Sequence, residues 1–171
     1  MNSTLQKSLF IGGLFVVALS GFLFWQQQSA GDRLERQALS QTIPQSEDEW
    51  RTKLSPPAYE ILREGGTERP YSSPLNAEKR PGTYVAADTG EPLFRSEDKF
   101  DSGTGWPSFT RPIRPDAVIE RPDNSLFVER TEVLSTAGGH LGHVFNDGPA
   151  PTGLRYCMNG VALRFIPDEE R

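Results

Sequence analysis

Cys157 is the only cysteine in a chain of 171 residues. It stands in the run Arg155-Tyr156-Cys157-Met158-Asn159, a little downstream of the only two histidines, His140 and His143, which flank Leu141-Gly142. A single sulfur closes no internal disulfide and cannot build a zinc site that needs two or more thiolates. The ordinary fate of such a residue is to be a small buried hydrophobe. Near imidazoles it is instead a candidate nucleophile, because the thiolate is the reactive form and a neighbouring arginine or protonated histidine favours it. In an extended strand residues two apart share a face, so Arg155, Cys157 and Asn159 point one way and Tyr156 and Met158 the other. Beyond them the apolar phase shifts to Val161, Leu163 and Phe165, which predicts a bulge at Gly160 that re-aims the neighbouring side chains.

Elements able to position these residues can be read from the rest of the chain. A hydrophobic content of 36%, with ten Phe, four Tyr and three Trp, suffices for a core, and the length suits one domain plus extras. The net charge of -5 is mixed along the sequence with no basic stripe, which excludes nucleic acid as an expected partner. From Gly65 onward Gly, Pro, Asn and Asp recur between short apolar runs such as Leu126 to Val128, Val133-Leu134, Val144-Phe145 and Val161 to Ile166. That punctuation predicts a mainly β domain of short strands. Trp50 to Arg63, with Pro56 and Pro57, predicts a short helix whose first turn carries the prolines, so one or two small helices precede the strands.

The first thirty residues differ in kind. Ser8 to Trp25 is an uncharged, mainly apolar stretch behind Lys7, just long enough to span a bilayer as a helix. A cleaved signal peptide ending at Ala18-x-Ser20 is the competing reading. It would leave Phe22, Leu23, Phe24 and Trp25 as a greasy new terminus, so an uncleaved anchor is expected. The resulting organisation is an N-terminal anchor at 1–25, a polar linker at 26–49 and a catalytic domain at 50–171. Lys7 and the free amine nearly balance Arg33 and Arg36 under the positive-inside rule. A short tail before a single anchor favours an extracytoplasmic, periplasm-like domain.

Two further runs are unusual: Lys99-Phe100-Asp101-Ser102-Gly103-Thr104-Gly105-Trp106-Pro107-Ser108-Phe109, and Gly138-Gly139-His140-Leu141-Gly142-His143-Val144-Phe145-Asn146-Asp147-Gly148-Pro149. Together with Arg155 to Phe165, and upstream with Tyr59 to Arg63, Gly66-Thr67-Glu68 and Gly82-Thr83-Tyr84, they resemble the methionine-R-sulfoxide reductases of the B type. The resemblance covers about Trp50 to Pro167 and leaves the anchor and linker outside it. It implies a fold of two antiparallel sheets and reduction of methionine-R-sulfoxide, free or in oxidised proteins and peptides. The sulfur of a sulfoxide becomes electrophilic when its oxygen is protonated, so a thiolate and a proton donor must converge. Cys157 matches the nucleophile. His143, with an ordinary pKa near 6.5, is the candidate donor, and His140 can orient the oxygen or serve as a structural hydrogen-bonder. Asn159 matches the family's residue near the sulfoxide oxygen, and Trp106 the wall that holds the S-methyl group. Phe109 and Arg155 are carried as substrate-side candidates, although Phe109, Phe145 and Phe165 also read as core.

Two departures from the family pattern matter. Many members hold a structural zinc with two C-x-x-C pairs, but here the positions after Tyr84 are Ala86 and Thr89, and Leu134 to Ala137 contains no cysteine. No zinc and no other cofactor is expected, with packing in the metal's place. Many members also carry a resolving cysteine where this chain has Thr104, so Cys157 sulfenic acid must be recycled by an external thiol such as thioredoxin or glutathione. Three other readings of the same residues remain: a metal site of both histidines, Cys157 and Asp147, a cysteine hydrolase using Cys157, His143 and Asn159, and an inactive sulfoxide-binding module.

Overall fold

Ser46 opens the first helix of the domain. Its side chain accepts from the backbone N–H of Glu49 (3.3 Å), and Glu47, Asp48 and Glu49 fill the first turn of α1, Glu47–Lys53, where negative charge suits the helix N-terminus. The folded domain therefore starts a few residues ahead of the expected boundary at Trp50, and the last three residues assigned to the linker are helical. The prolines divide the segment expected as one helix. Pro56 disfavours helical geometry at Ser55, so α1 ends at Leu54 and α2, Pro56–Glu64, begins afresh with Ser55 as its cap. Gly65 closes α2 in the left-handed region (φ 71°), which glycine occupies without strain. Ala58, Tyr59, Ile61 and Leu62 form the buried face of α2.

This computed structural model describes residues 43–44, 46–124 and 130–170. The expected anchor at 1–25, most of the linker and the apolar run Leu126 to Val128 lie outside the described residues. No helix among those described is long and apolar enough to cross a membrane.

The strands form two antiparallel sheets. β1 (Gly82–Ala86) lies between β2 (Pro92–Arg95) and β9 (Leu163–Pro167) in one. The other has six strands in the order β3-β4-β8-β7-β6-β5: β3 Lys99–Phe100, β4 Ser108–Phe109, β5 Ile119–Asp123, β6 Arg130–Leu134, β7 His140–Phe145 and β8 Arg155–Met158. Pro122 sits in β5, an edge strand, where a missing N–H is tolerated. Tyr84 packs edge-on against Phe109 at 4.8 Å, Phe94 stacks on Phe109 at 4.4 Å, and Tyr156 lies 5.8 Å from Phe94, so strands of both sheets share one aromatic core. Gly160 is not a bulge. It begins a 3-10 turn, Gly160–Ala162, that carries the chain from β8 in one sheet to β9 in the other, and that change of sheet is the cause of the phase shift. A side chain at Gly160 would overlap the hydroxyl of Ser73.

Hydrogen bonds, rather than packing alone, tie the turns where the resemblance places metal-binding cysteines. Asp88, in the β1–β2 turn and 2% exposed, accepts from the hydroxyl of Ser135 (2.5 Å) and from the N–H of Thr89 (2.8 Å). Ser135 in turn accepts from Gly139 N–H (3.0 Å), and Thr136 donates to Glu91 beside it. These residues do not fit a zinc ion, because the ligand positions carry Ala86 and Thr89 and the one buried carboxylate is occupied by Ser135. Replacing Ser135 with Ala strips a buried carboxylate of a donor, and unfolding in urea is expected to show a loss of about 2 kcal/mol. A loss below about 0.5 kcal/mol would mean that the clasp contributes little.

Candidate active site

Strand register decides which side chains meet. His143 on β7 is directly opposite Cys157 on β8, Ser108 on β4 opposes Cys157 from the other side, and Glu132 on β6 opposes His143. Directly opposed residues of antiparallel strands project from the same face with Cβ atoms roughly 4.5–5.5 Å apart. The sheet therefore lays out the row Ser108, Cys157, His143, Glu132, which Arg121 on β5 continues. A side chain at Gly142 would overlap the Cys157 carbonyl, so glycine there is what lets β7 and β8 approach.

Three residues apart on a strand, His140 and His143 would face opposite ways. An irregularity in the β6–β7 register, where Val133 pairs Gly142 but Leu134 pairs His140, inserts one extra residue and returns both imidazoles to one side, 5.3 Å apart. Each has its own carboxylate. His143 Nε2 lies 2.8 Å from Asp123 Oδ2, and Arg130 also donates to that carboxylate (2.6 Å). His140 Nδ1 lies 2.7 Å from Glu132 Oε1, and Arg121 donates to Oε2 at 2.7 Å. Burial pushes His143 below the ordinary imidazole value, against the hydrogen bond to Asp123, with the charge of Arg130 adding to the fall. Burial would raise Glu132, but its hydrogen bonds from Arg121 and His140 hold it below the usual carboxylate range.

A small cavity of about 170 Å³ opens beside the thiol. Cys157, His143 and Asn159 line one part of it, and Trp106 and Phe145 supply aromatic walls. Thr67, Arg130 and Gly142 complete the rim. Drug-sized ligands occupy roughly 300–1,000 Å³, so this space suits one amino-acid side chain. Trp106 donates its Nε1–H to the Glu68 carbonyl (3.1 Å), which fixes the indole. The Glu68 carboxylate accepts from Gly160 and Val161 N–H at 2.6 and 3.0 Å, joining the Trp106 side of the cavity to the turn after Cys157. Asn159 is buried. Its Oδ1 accepts from Glu68 N–H (3.0 Å) and its Nδ2 donates to the Leu141 carbonyl (3.2 Å).

Cys157, His143, Asn159 and Trp106 thus converge as the sequence reading expects. Three other candidates sit elsewhere. His140 lies behind His143 and does not line the cavity. Phe109 is fully buried: it opposes Tyr156, whose side chain is on the core face of β8, so strand alternation sends it into the core. Arg155 forms a two-point pair with Asp147 (2.8 Å each) and covers the Phe145 ring at 4.3 Å, so it braces the cavity wall from behind. The Asp147 hydrogen bond, opposed by burial and aided by Cys157, holds that guanidinium above its ordinary range. With Asp147 engaged there and both histidines on carboxylates, the donor set proposed for a metal does not assemble. No group of three such ligands gathers among the described residues. The Cys-His-Asn hydrolase arrangement is also not formed, because the partner of His143 is Asp123 and Asn159 holds Glu68 and Leu141.

Phe145, Asp123, Glu132 and Arg130 are the site residues that the sequence reading missed. Phe145 reads as one more apolar residue of an alternating strand. Asp123 follows Pro122 at the end of β5, and Arg130 and Glu132 flank Thr131 on β6, as on any solvated strand, and only register shows that they back the histidines.

The SelR domain model matches residues 54–167. The chain is 55% identical over 126 residues to a Vibrio cholerae protein named peptide methionine sulfoxide reductase MsrA/MsrB, an alignment covering 73% of this chain and 33% of that longer one. It is 52% identical over 129 residues to the Methanosarcina barkeri protein named peptide methionine sulfoxide reductase MsrB, covering 75% and 91%. A Bradyrhizobium diazoefficiens protein of the same name is 55% identical over 126 residues, covering 73% and 91%.

Proposed function

This chain belongs to the SelR-domain family of B-type peptide methionine sulfoxide reductases, and from that premise we propose how its own residues carry the reaction. The protein is an enzyme that reduces methionine sulfoxide in oxidised peptides and proteins to methionine. The observation that carries the mechanism is the pairing of Cys157 with His143 across β7 and β8, beside a cavity walled by Trp106.

The sulfoxide side chain enters with its S-methyl group against the indole of Trp106 and the ring of Phe145. The R epimer then turns its oxygen toward His143 and the amide of Asn159. His143 gives a proton to that oxygen and the Cys157 thiolate attacks sulfur. That attack forms a bond from Cys157 Sγ to the methionine sulfur. The protonated oxygen then passes to Sγ as the S–O and S–S bonds break, leaving Cys157 as sulfenic acid and releasing methionine, so the cysteine is oxidised by two electrons and the sulfoxide reduced by two. Asp123 holds the His143 ring and stabilises its charged form. An external thiol condenses with the sulfenic acid, losing water, and a second thiol equivalent frees Cys157 from the mixed disulfide. No zinc takes part in this reading, which is supported by Ala86 and Thr89 at the positions matching the family's zinc cysteines and by the Ser135 hydroxyl donating to the buried Asp88 carboxylate between them.

The test of the one-cysteine cycle is a turnover without reductant. One methionine per chain is expected, with a dimedone adduct on Cys157. Several methionines per chain without added thiol would contradict it. The stretch 8–25 anchors the enzyme in a membrane, a reading supported by its length and apolarity alone, and the short tail before it supports a domain on the extracytoplasmic side. Release of the full chain from membranes by alkaline carbonate would oppose it.

A further inference from the structure

Where many relatives carry a second cysteine, Thr104 Oγ1 lies 3.9 Å from Cys157 Sγ, within hydrogen-bond reach of sulfur. Behind it the hydroxyls continue. Thr104 Oγ1 is 2.8 Å from Ser102 Oγ, Ser102 Oγ is 2.8 Å from Ser108 Oγ, and Ser108 donates to the Trp106 carbonyl at 3.1 Å. A hydroxyl has one proton to give. With the proton of Ser108 on Trp106, Ser102 donates to Ser108 and Thr104 to Ser102, leaving Thr104 to accept from the thiol S–H. We propose that Thr104, Ser102 and Ser108 form a reversible hydroxyl relay that stabilises the Cys157 thiolate. This rests on Cys157 being the nucleophile.

When Cys157 ionises, its proton leaves to water or to neutral His143 and the hydroxyls keep theirs. Each then rotates: Thr104 donates to sulfur, Ser102 to Thr104 and Ser108 to Ser102, while the Trp106 carbonyl loses its donor. A hydrogen bond to an ionised acceptor is roughly twice as strong as a neutral one, and aligned donors behind it polarise one another. The exchange therefore favours the thiolate. Ser108 is fully buried and opposes Cys157 in the strand register, so the far end of the relay is fixed by the sheet.

The near end is fixed by a clamp. Tyr71 donates its N–H to the Gly105 carbonyl and its O–H to the Gly103 carbonyl, each at 2.7 Å, gripping the loop on both sides of Thr104. Tyr71 does so at φ 61°, a conformation that costs a non-glycine residue free energy and persists where its surroundings hold it. A side chain at Gly105 would press on Pro70 and Tyr71 at 2.8–2.9 Å. Thr104 touches the reacting atom, whereas Ser102 and Ser108 act through it as positioning residues.

The test measures iodoacetamide alkylation of Cys157 from pH 6 to 10, with single-turnover methionine formation followed in parallel. Thr104→Val, nearly the same shape, is expected to lower alkylation at neutral pH about tenfold, with the gap closing at high pH as the thiol ionises fully. Thr104→Ser should recover most of the lost rate. Ser102→Ala, which never touches sulfur, should show part of the same pH-dependent loss, and it keeps the test open if Thr104→Val fails to fold. Equal alkylation of the valine form at every pH, or a gap unchanged by pH, would overturn the relay. Failure of the unaltered protein to make methionine would sink the reductase mechanism instead, while the alkylation profiles still report on the relay.

Discussion

Cys157→Ser is expected to lose methionine formation by about 10³-fold or more, with circular dichroism and binding of a methionine-sulfoxide peptide unchanged. The size of the loss follows from the chemistry. A serine hydroxyl is a poor nucleophile toward sulfur, and it offers no sulfenic acid to carry the oxygen away. The substitution is close to isosteric on a strand held from both sides by Ser108 and His143, so the cavity survives it. Residual turnover above a few per cent of wild type would remove Cys157 from the oxygen-accepting step. Binding without turnover in the unaltered protein would revive the binding-module reading.

His143→Gln comes second, with an expected loss of about 10²-fold in kcat/KM. Glutamine can still donate to Asp123 but cannot deliver a titrating proton. The pH profile separates this role from a structural one. Burial sets His143 below the ordinary imidazole value, and a donor must be protonated. The limb of kcat/KM that falls with rising pH is therefore expected to have its midpoint below about 6.5 and to vanish in the glutamine form. The same shift has a consequence for folding. The unfolded chain takes up the proton first as pH drops below about 6.5, so stability from His143 is present above that pH and is lost as pH falls through the lowered folded value. Melting temperatures between pH 7 and 5 should fall less in the glutamine form than in wild type. A variant that keeps the falling limb would assign the proton to another group.

Most of the candidate site was legible because its residues are rare and adjacent in sequence. One cysteine, two histidines and a glycine-flanked tryptophan stand out in any composition, and period-two alternation correctly put Arg155 and Cys157 opposite the buried Tyr156 and Met158. What escaped was set by pairing between distant segments. Asp123 and Glu132 become partners of the histidines only through the β5–β6–β7 register, and no local pattern encodes which strand lies beside which. Phe109 and Phe145 exchange their expected roles for a similar reason. Phe109 opposes core-facing Tyr156, whereas Phe145 opposes Arg155, which covers its ring at the cavity wall. The helices were half legible. Proline placement marked the start of α2, while the Ser46 cap with three acidic residues behind it was readable as a helix start and was assigned to the linker. Gly160 shows the limit of phase arguments, since a change of sheet shifts the apolar phase just as a bulge does.

The central claim is that this cavity takes one epimer of methionine sulfoxide and passes its oxygen to Cys157. Its most direct measurement is reduction of separate R and S epimers of a methionine-sulfoxide peptide by the full chain with dithiothreitol, each epimer scored for methionine formed. Reduction of the R epimer alone is the predicted result: with oxygen toward His143 and Asn159, methyl against Trp106 and the peptide chain leaving by the cavity mouth, the two hands differ in whether sulfur is open to Cys157, and the B-type family takes the R hand. Equal reduction of both epimers, or reduction of S alone, would contradict it.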